Sequence, residues 1–193
     1  MKFLSELKRE DIKANGVKIN TFYSKSDKKP LLLLHGFPQS AIMWRKVIPL
    51  IKDKFSIVCP DLRGYGYSEK PITGYDKKTM ASDMFELMKS LGYSEFFVAG
   101  HDRGGRVAHR LTLDYSEAVK KLMVLDIVPT HTLFKNTDMH LAAGYWHWFF
   151  FQVRDFPELV LGQNAEAFLK HMFNALSYLS DGIELDAFEE IIK

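Results

Sequence analysis

The sequence predicts an α/β fold, a mostly parallel sheet with helices on both faces, followed by the start of a helical cap. Three observations carry this. Short apolar runs recur as LLLLHG, FSIVCPDL, FFVAGH and KLMVLDIVP, each the length of a strand buried on both faces. Segments of helical period separate them. Beyond Pro129 no further convincing buried strand follows, and the chain turns to aromatic clusters and helical spacing.

In order along the chain, VKINTFYS before the turn-rich SKSDKKP reads as a first strand and LLLLHG as a second. Ser40 to Lys52 sets Ile42, Met43, Val47, Leu50 and Ile51 at helical spacing, and FSIVCPDL is the next strand. Thr79 to Leu91 repeats the helical period through Met80, Met84, Leu87, Met88 and Leu91, before FFVAGH. Gly104 to Tyr115 then reads as a helix and KLMVLDIVP as a strand. Alternation of this kind is the signature of a parallel sheet wrapped by helices. The expected division is a core over residues 1–129 and a helical cap segment over 130–193. The final run DAFEEIIK has no Gly or Pro stop, so the expected architecture is one whose last strands are missing from the chain.

Composition narrows the function classes. With 193 residues and 47% hydrophobic content, the chain can bury a substantial core. Twenty-six basic against twenty-four acidic residues give a net charge of +2 with no basic block, which argues against nucleic acid or an anionic membrane as partner. One cysteine, Cys59, excludes a disulfide framework and a cysteine-rich metal site. The start MKFLSELKRE lacks a signal-peptide apolar segment, and LLLL and WHWFFF are too short to span a bilayer, so the default location is the cytoplasm. The expected partner is a small molecule, and a homodimer stays open.

Chemistry concentrates at Val98–Arg110, VAGHDRGGRVAHR. Gly100-His101-Asp102-Arg103-Gly104 has the G-x-nucleophile-x-G form that holds a nucleophile on a strained strand-to-helix turn, where the glycines let the helix pack back over the strand. Asp102 there is either an attacking carboxylate or a helix cap. Upstream, His35-Gly36-Phe37-Pro38 follows a buried strand, where a backbone N–H lines an oxyanion site together with the N–H of the residue after the nucleophile, Arg103.

With DLRGYGYS at Asp61–Ser68, these motifs make the chain resemble the α/β-hydrolase family over nearly its whole length. GHDRGGRVAHR and the later YWHW resemble its fluoroacetate or haloacetate dehalogenase branch. The resemblance implies that Asp102 displaces halide from a short 2-haloacid and forms an aspartyl ester. Arg103 stands where haloalkane dehalogenases usually carry a halide-holding tryptophan, and Arg106 lies one turn on, so the pair could clamp a substrate carboxylate. The alternative is a pair of ordinary solvated helix residues. Asp126 matches the aspartate that orients the catalytic histidine, or else makes a turn before Pro129. His147 and Trp148 match the residues that cradle the departing halide, or else belong to a packed aromatic layer. Phe37 joins Arg103, Arg106, His147 and Trp148 as a candidate substrate-binding residue. No cofactor and no metal are implied.

One part of the pattern is absent. Hydrolysis of the ester needs a histidine that activates water, which the family supplies after its last strand. His35, His101, His109, His131, His140, His147 and His171 all lie elsewhere. The family's late cap tyrosine also has no match, since Tyr178 comes too early. The expectation is therefore a truncated chain. Its rivals are an epoxide hydrolase of the same fold, against which the arginine pair argues, and a non-catalytic remnant.

Overall fold

The computed structural model describes residues 4–177 and 183–192, so Tyr178 lies outside the described residues. Two compact units divide the chain, Met1–Ile127 and Val128–Lys193. The first is built on a six-stranded sheet of β1 (Lys8–Ala14), β2 (Val17–Tyr23), β3 (Lys29–Leu34), β4 (Phe55–Pro60), β5 (Phe96–His101) and β6 (Val119–Leu125). Their order is β1-β2-β4-β3-β5-β6. From β4 to β6 every pairing is parallel, while β1 and β2 join antiparallel at one side.

The four leucines of β3 explain its central place. Leu32 and Leu34 enter one core with Val58, Val98 and the methionines of α2 (Lys77–Ser90), and Leu33 enters the other with Ile57, Ala99 and Trp44. Alternate residues point to opposite faces, so a strand at the middle of a covered sheet must be apolar throughout. On the first face α2 packs with α3 (Arg103–Asp114), which contributes Val107, Ala108 and Leu111. Asp76 caps α2, its carboxylate accepting from the Thr79 N–H at 2.9 Å. The opposite face carries a 3-10 helix (Ala41–Lys46) and α1 (Ile48–Ile51).

Three expectations are corrected. The helix expected over Ser40–Lys52 is broken, because Pro49 has no N–H to donate to the Arg45 carbonyl; it fits only in the first turn of a new helix. Lys8–Ala14 forms a strand without an apolar pattern, since KREDIKA is a largely exposed edge held by seven pairs to β2. The third concerns β6, which is largely exposed, with Met123 60% and Val124 45% accessible, because it borders the described sheet.

The second unit is helical over its described residues: α4 (Thr130–Lys135), α5 (Met139–Gly144), α6 (Trp146–Phe150), α7 (Phe156–Leu161), α8 (Ala165–Leu176) and α9 (Leu185–Ile191). No described helix is long and apolar enough to cross a membrane.

Candidate active site

Strand order fixes where a site can form. The chain leaves β3 for β4 on one side and returns to β5 on the other, so the connections diverge between the carboxyl ends of β3 and β5. In open α/β sheets that divergence leaves a crevice for ligands. Asp102 follows β5 at this point, with φ 48° and ψ −117°, a region costly for any residue with a Cβ.

The strain persists because the surroundings leave no room for another path. A Cβ on Gly100 would run into the backbone of Gly104 and Gly105, and one on Gly104 into the carbonyls of Leu34 and His35. The helix therefore starts against the sheet itself. Asp102 makes no side-chain cap to α3; its Oδ1 instead accepts the Phe37 N–H at 2.8 Å. The carboxylate therefore faces the turn after β3 and does not cap α3.

That turn is anchored by His35, which is wholly buried. Its Nε2 accepts the Leu62 N–H at 2.9 Å and its Nδ1 lies 3.1 Å from the Gly36 carbonyl, so the proton sits on Nδ1. Burial pushes its pKa down, which keeps the imidazole neutral. Asp61, also buried, accepts N–H groups from Ala41 (2.8 Å), Tyr67 (3.0 Å) and the Asn20 amide (2.8 Å), tying the 61–68 loop to β2 and to the turn region. Arg63 closes the same loop with a two-pronged ion pair to Asp83 at 2.7 and 2.8 Å. These bonds place Tyr65 edge-on to His35, ring centroids 5.1 Å apart.

Both arginines of the turn lie beside Asp102. The Arg103 guanidinium sits 5.9 Å from the ring centres of both Phe37 and Tyr65. Arg106 is half-buried; desolvation lowers its pKa, the Asp102 charge opposes this and Arg103 adds to it. A third cation was not foreseen from sequence. Lys77, at the start of α2, is brought down to about 8 by burial and then by the charges of Arg103 and Arg106, with Asp76 and Asp102 acting the other way. Inside DKK nothing marks it out from its surface neighbours.

Asp126 follows β6 with φ 50° and an exposed side chain, 3.9 Å from Nε2 of His101. His101 is thus the imidazole beside it among the described residues, while His101 Nδ1 is buried without a hydrogen-bond partner. Phe37, Asp102, Arg103, Arg106 and Asp126 all belong to the first unit. His147 and Trp148 lie together on α6 of the second, where His147 is buried among the rings of Tyr145, Trp146, Trp148 and Phe151. No group of three or more potential metal ligands occurs among the described residues.

The assembled groups can support attack by a carboxylate on an electrophile beside two cations, with backbone N–H donors at the turn for charge that develops later. Comparison with known proteins agrees with the fold. The profile of the α/β hydrolase fold matches residues 29–180. A fluoroacetate dehalogenase from Burkholderia sp. is 44% identical over 170 residues, covering 84% of this chain and 56% of its own length. A soluble epoxide hydrolase from Corynebacterium sp. (strain C12) is 37% identical over 178 residues, covering 90% of this chain and 61% of its own length. A crystal structure from Nostoc sp. PCC 7120, provisionally named an α/β hydrolase, superposes with a TM-score of 0.94 at 40% identity. That match covers 98% of this chain and 67% of the other. The chain therefore spans between about half and two thirds of the proteins it matches. A carboxylate on the strained turn after β5, the N–H donor after β3 and this shared fold lead to one assignment: the chain belongs to the α/β-hydrolase family.

Proposed function

We propose that this chain carries the nucleophile of a hydrolase that removes halide from a short 2-haloacid such as fluoroacetate. One observation carries the reading: Asp102 is flanked on its own helix by Arg103 and Arg106, two cations suited to a substrate carboxylate. The free Asp102 oxygen attacks the carbon bearing halogen, the carbon–halogen bond breaks, and an ester forms on the aspartate. Paired guanidinium groups offset repulsion between substrate and nucleophile, both anions. The Phe37 N–H, together with that of Arg103 at the first helical position, stands ready for the oxyanion formed when water attacks the ester. Asp126 would support the base of that second step, and His147 and Trp148 would receive the halide, as the family resemblance implies. The fluoroacetate dehalogenase relative supports the substrate class.

A second reading, epoxide opening by the same aspartate, is favoured by the Corynebacterium relative. It predicts no demand for a substrate carboxylate. The two are separated by measuring halide release from fluoroacetate and chloroacetate alongside diol formation from a neutral epoxide, with intact-mass detection of an ester on Asp102. Halide release or an adduct from haloacetate, without epoxide turnover, supports the first. Diol formation, or an epoxide-derived ester on Asp102, with inert haloacetates overturns it.

A further inference from the structure

We propose that Tyr65 is a positioning residue that, with Phe37, fixes the Arg103 guanidinium for carboxylate binding; the inference rests on the substrate reading above. Arg103 is half-buried, yet its guanidinium makes no hydrogen bond or ion pair among the described residues. What holds it is aromatic: Phe37 and Tyr65 each lie 5.9 Å from its central carbon, within reach of a cation–π contact. A guanidinium whose neighbours are aromatic rings rather than acceptors keeps its N–H groups uncommitted, and those are the groups that match a carboxylate. An acidic side chain in the same role would consume the donors and cancel the charge.

Tyr65 is suited to this task. Burial pushes its phenol up to about 12, so no phenolate forms to pair with the cation. Its hydroxyl has no hydrogen-bond partner among the described residues, so the ring and not the hydroxyl is what the fold has placed. His35 packs against that ring edge-on, and the Tyr65 N–H donates to the Leu62 carbonyl at 2.9 Å, so neither ring nor backbone has slack. Without the bracket, Arg103 keeps its charge but regains rotamer freedom that binding must then remove.

The test is an NMR titration with acetate, the smallest carboxylate of the class, and with neutral acetamide, neither of which needs turnover. Tyr65→Leu should weaken acetate binding about tenfold and leave acetamide unchanged, whereas Tyr65→Phe should stay within about twofold of the parent for both. Equal acetate affinity in parent and Tyr65→Leu overturns the inference, as does a Tyr65→Phe variant as weak as Tyr65→Leu, which would assign the effect to the hydroxyl. A parent that binds acetate no better than acetamide overturns the substrate reading itself. Should Tyr65→Leu fail to fold, Phe37→Leu carries the same expectation and the same refutation through the other ring beside the guanidinium.

Discussion

Arg63→Met tests whether the 61–68 loop is held electrostatically. Arg63 and Asp83 are 7% and 0% exposed at their side chains, and Asp83 receives two N–H bonds from Arg63 in addition to one from Asn15. Each charge-assisted bond contributes roughly 1.5–3 kcal/mol, and cutting one partner from a buried pair costs about 3–5 kcal/mol because the other charge is left in a dry site. With a urea dependence of about 2 kcal/mol/M, the unfolding midpoint should fall by roughly 1.5–2.5 M, read by circular dichroism. The double variant Arg63→Met/Asp83→Leu removes both charges and should recover most of that loss. A shift of less than about 0.5 M for the single variant, or a double variant no better than the single, would falsify the argument. Because the pair anchors the loop bearing Tyr65, acetate affinity should drop in Arg63→Met and return in step with stability.

Three further outcomes are expected. Gly104→Ala drives a Cβ into the Leu34 and His35 carbonyls, so it should cost about 1–3 kcal/mol in thermal melts and displace Asp102 enough to abolish adduct formation; a silent variant contradicts the close-packed turn. The Lys77 pKa is lowered on folding from 10.5 to about 8, so the unfolded chain binds the proton more tightly between those values and stability rises with pH across that window. Lys77→Met should therefore raise the melting temperature at pH 7 but not above pH 10.5, and should flatten a decline in acetate affinity that the parent shows as pH rises through about 8. In a form of the protein that carries the water-activating histidine, replacing His147 should slow defluorination more than dechlorination, since fluoride needs hydrogen-bond donors more; equal slowing, measured by halide electrode, would leave the aromatic-layer role ahead.

The sheet was legible where burial on both faces left the chemistry no choice, as in LLLL and FFVAG, and illegible where it did not. KREDIKA reads as a polar segment because edge pairing needs only backbone, and Pro49 splits a helix whose apolar spacing is otherwise regular. At the site, G-x-D-x-G and HGFP named the turn and its donor because those motifs are backbone geometry written in glycine and proline. Tyr65 stood in DLRGYGYS without a role, since its ring meets Arg103 only once β4, β5 and the 61–68 loop are assembled. Lys77 carries no local signal at all: its environment is made by residues some twenty-six positions away in sequence, on another helix.

The single bond from the Phe37 N–H to Asp102 breaks the twofold symmetry of the carboxylate. In solution a half-turn about the Cβ–Cγ bond exchanges the two oxygens, but here Oδ1 is tethered and Oδ2 is the one left to attack. In the proposed reaction Oδ2 departs inside the hydroxyacid and an oxygen from water takes its place, while Oδ1 never leaves. Run in heavy-oxygen water with the water-activating base present, a fresh enzyme would therefore hand its own light oxygen to the first product molecule. However many cycles follow, Asp102 would gain one heavy atom and no second, so the mass of a single peptide would record whether the tether ever lets go.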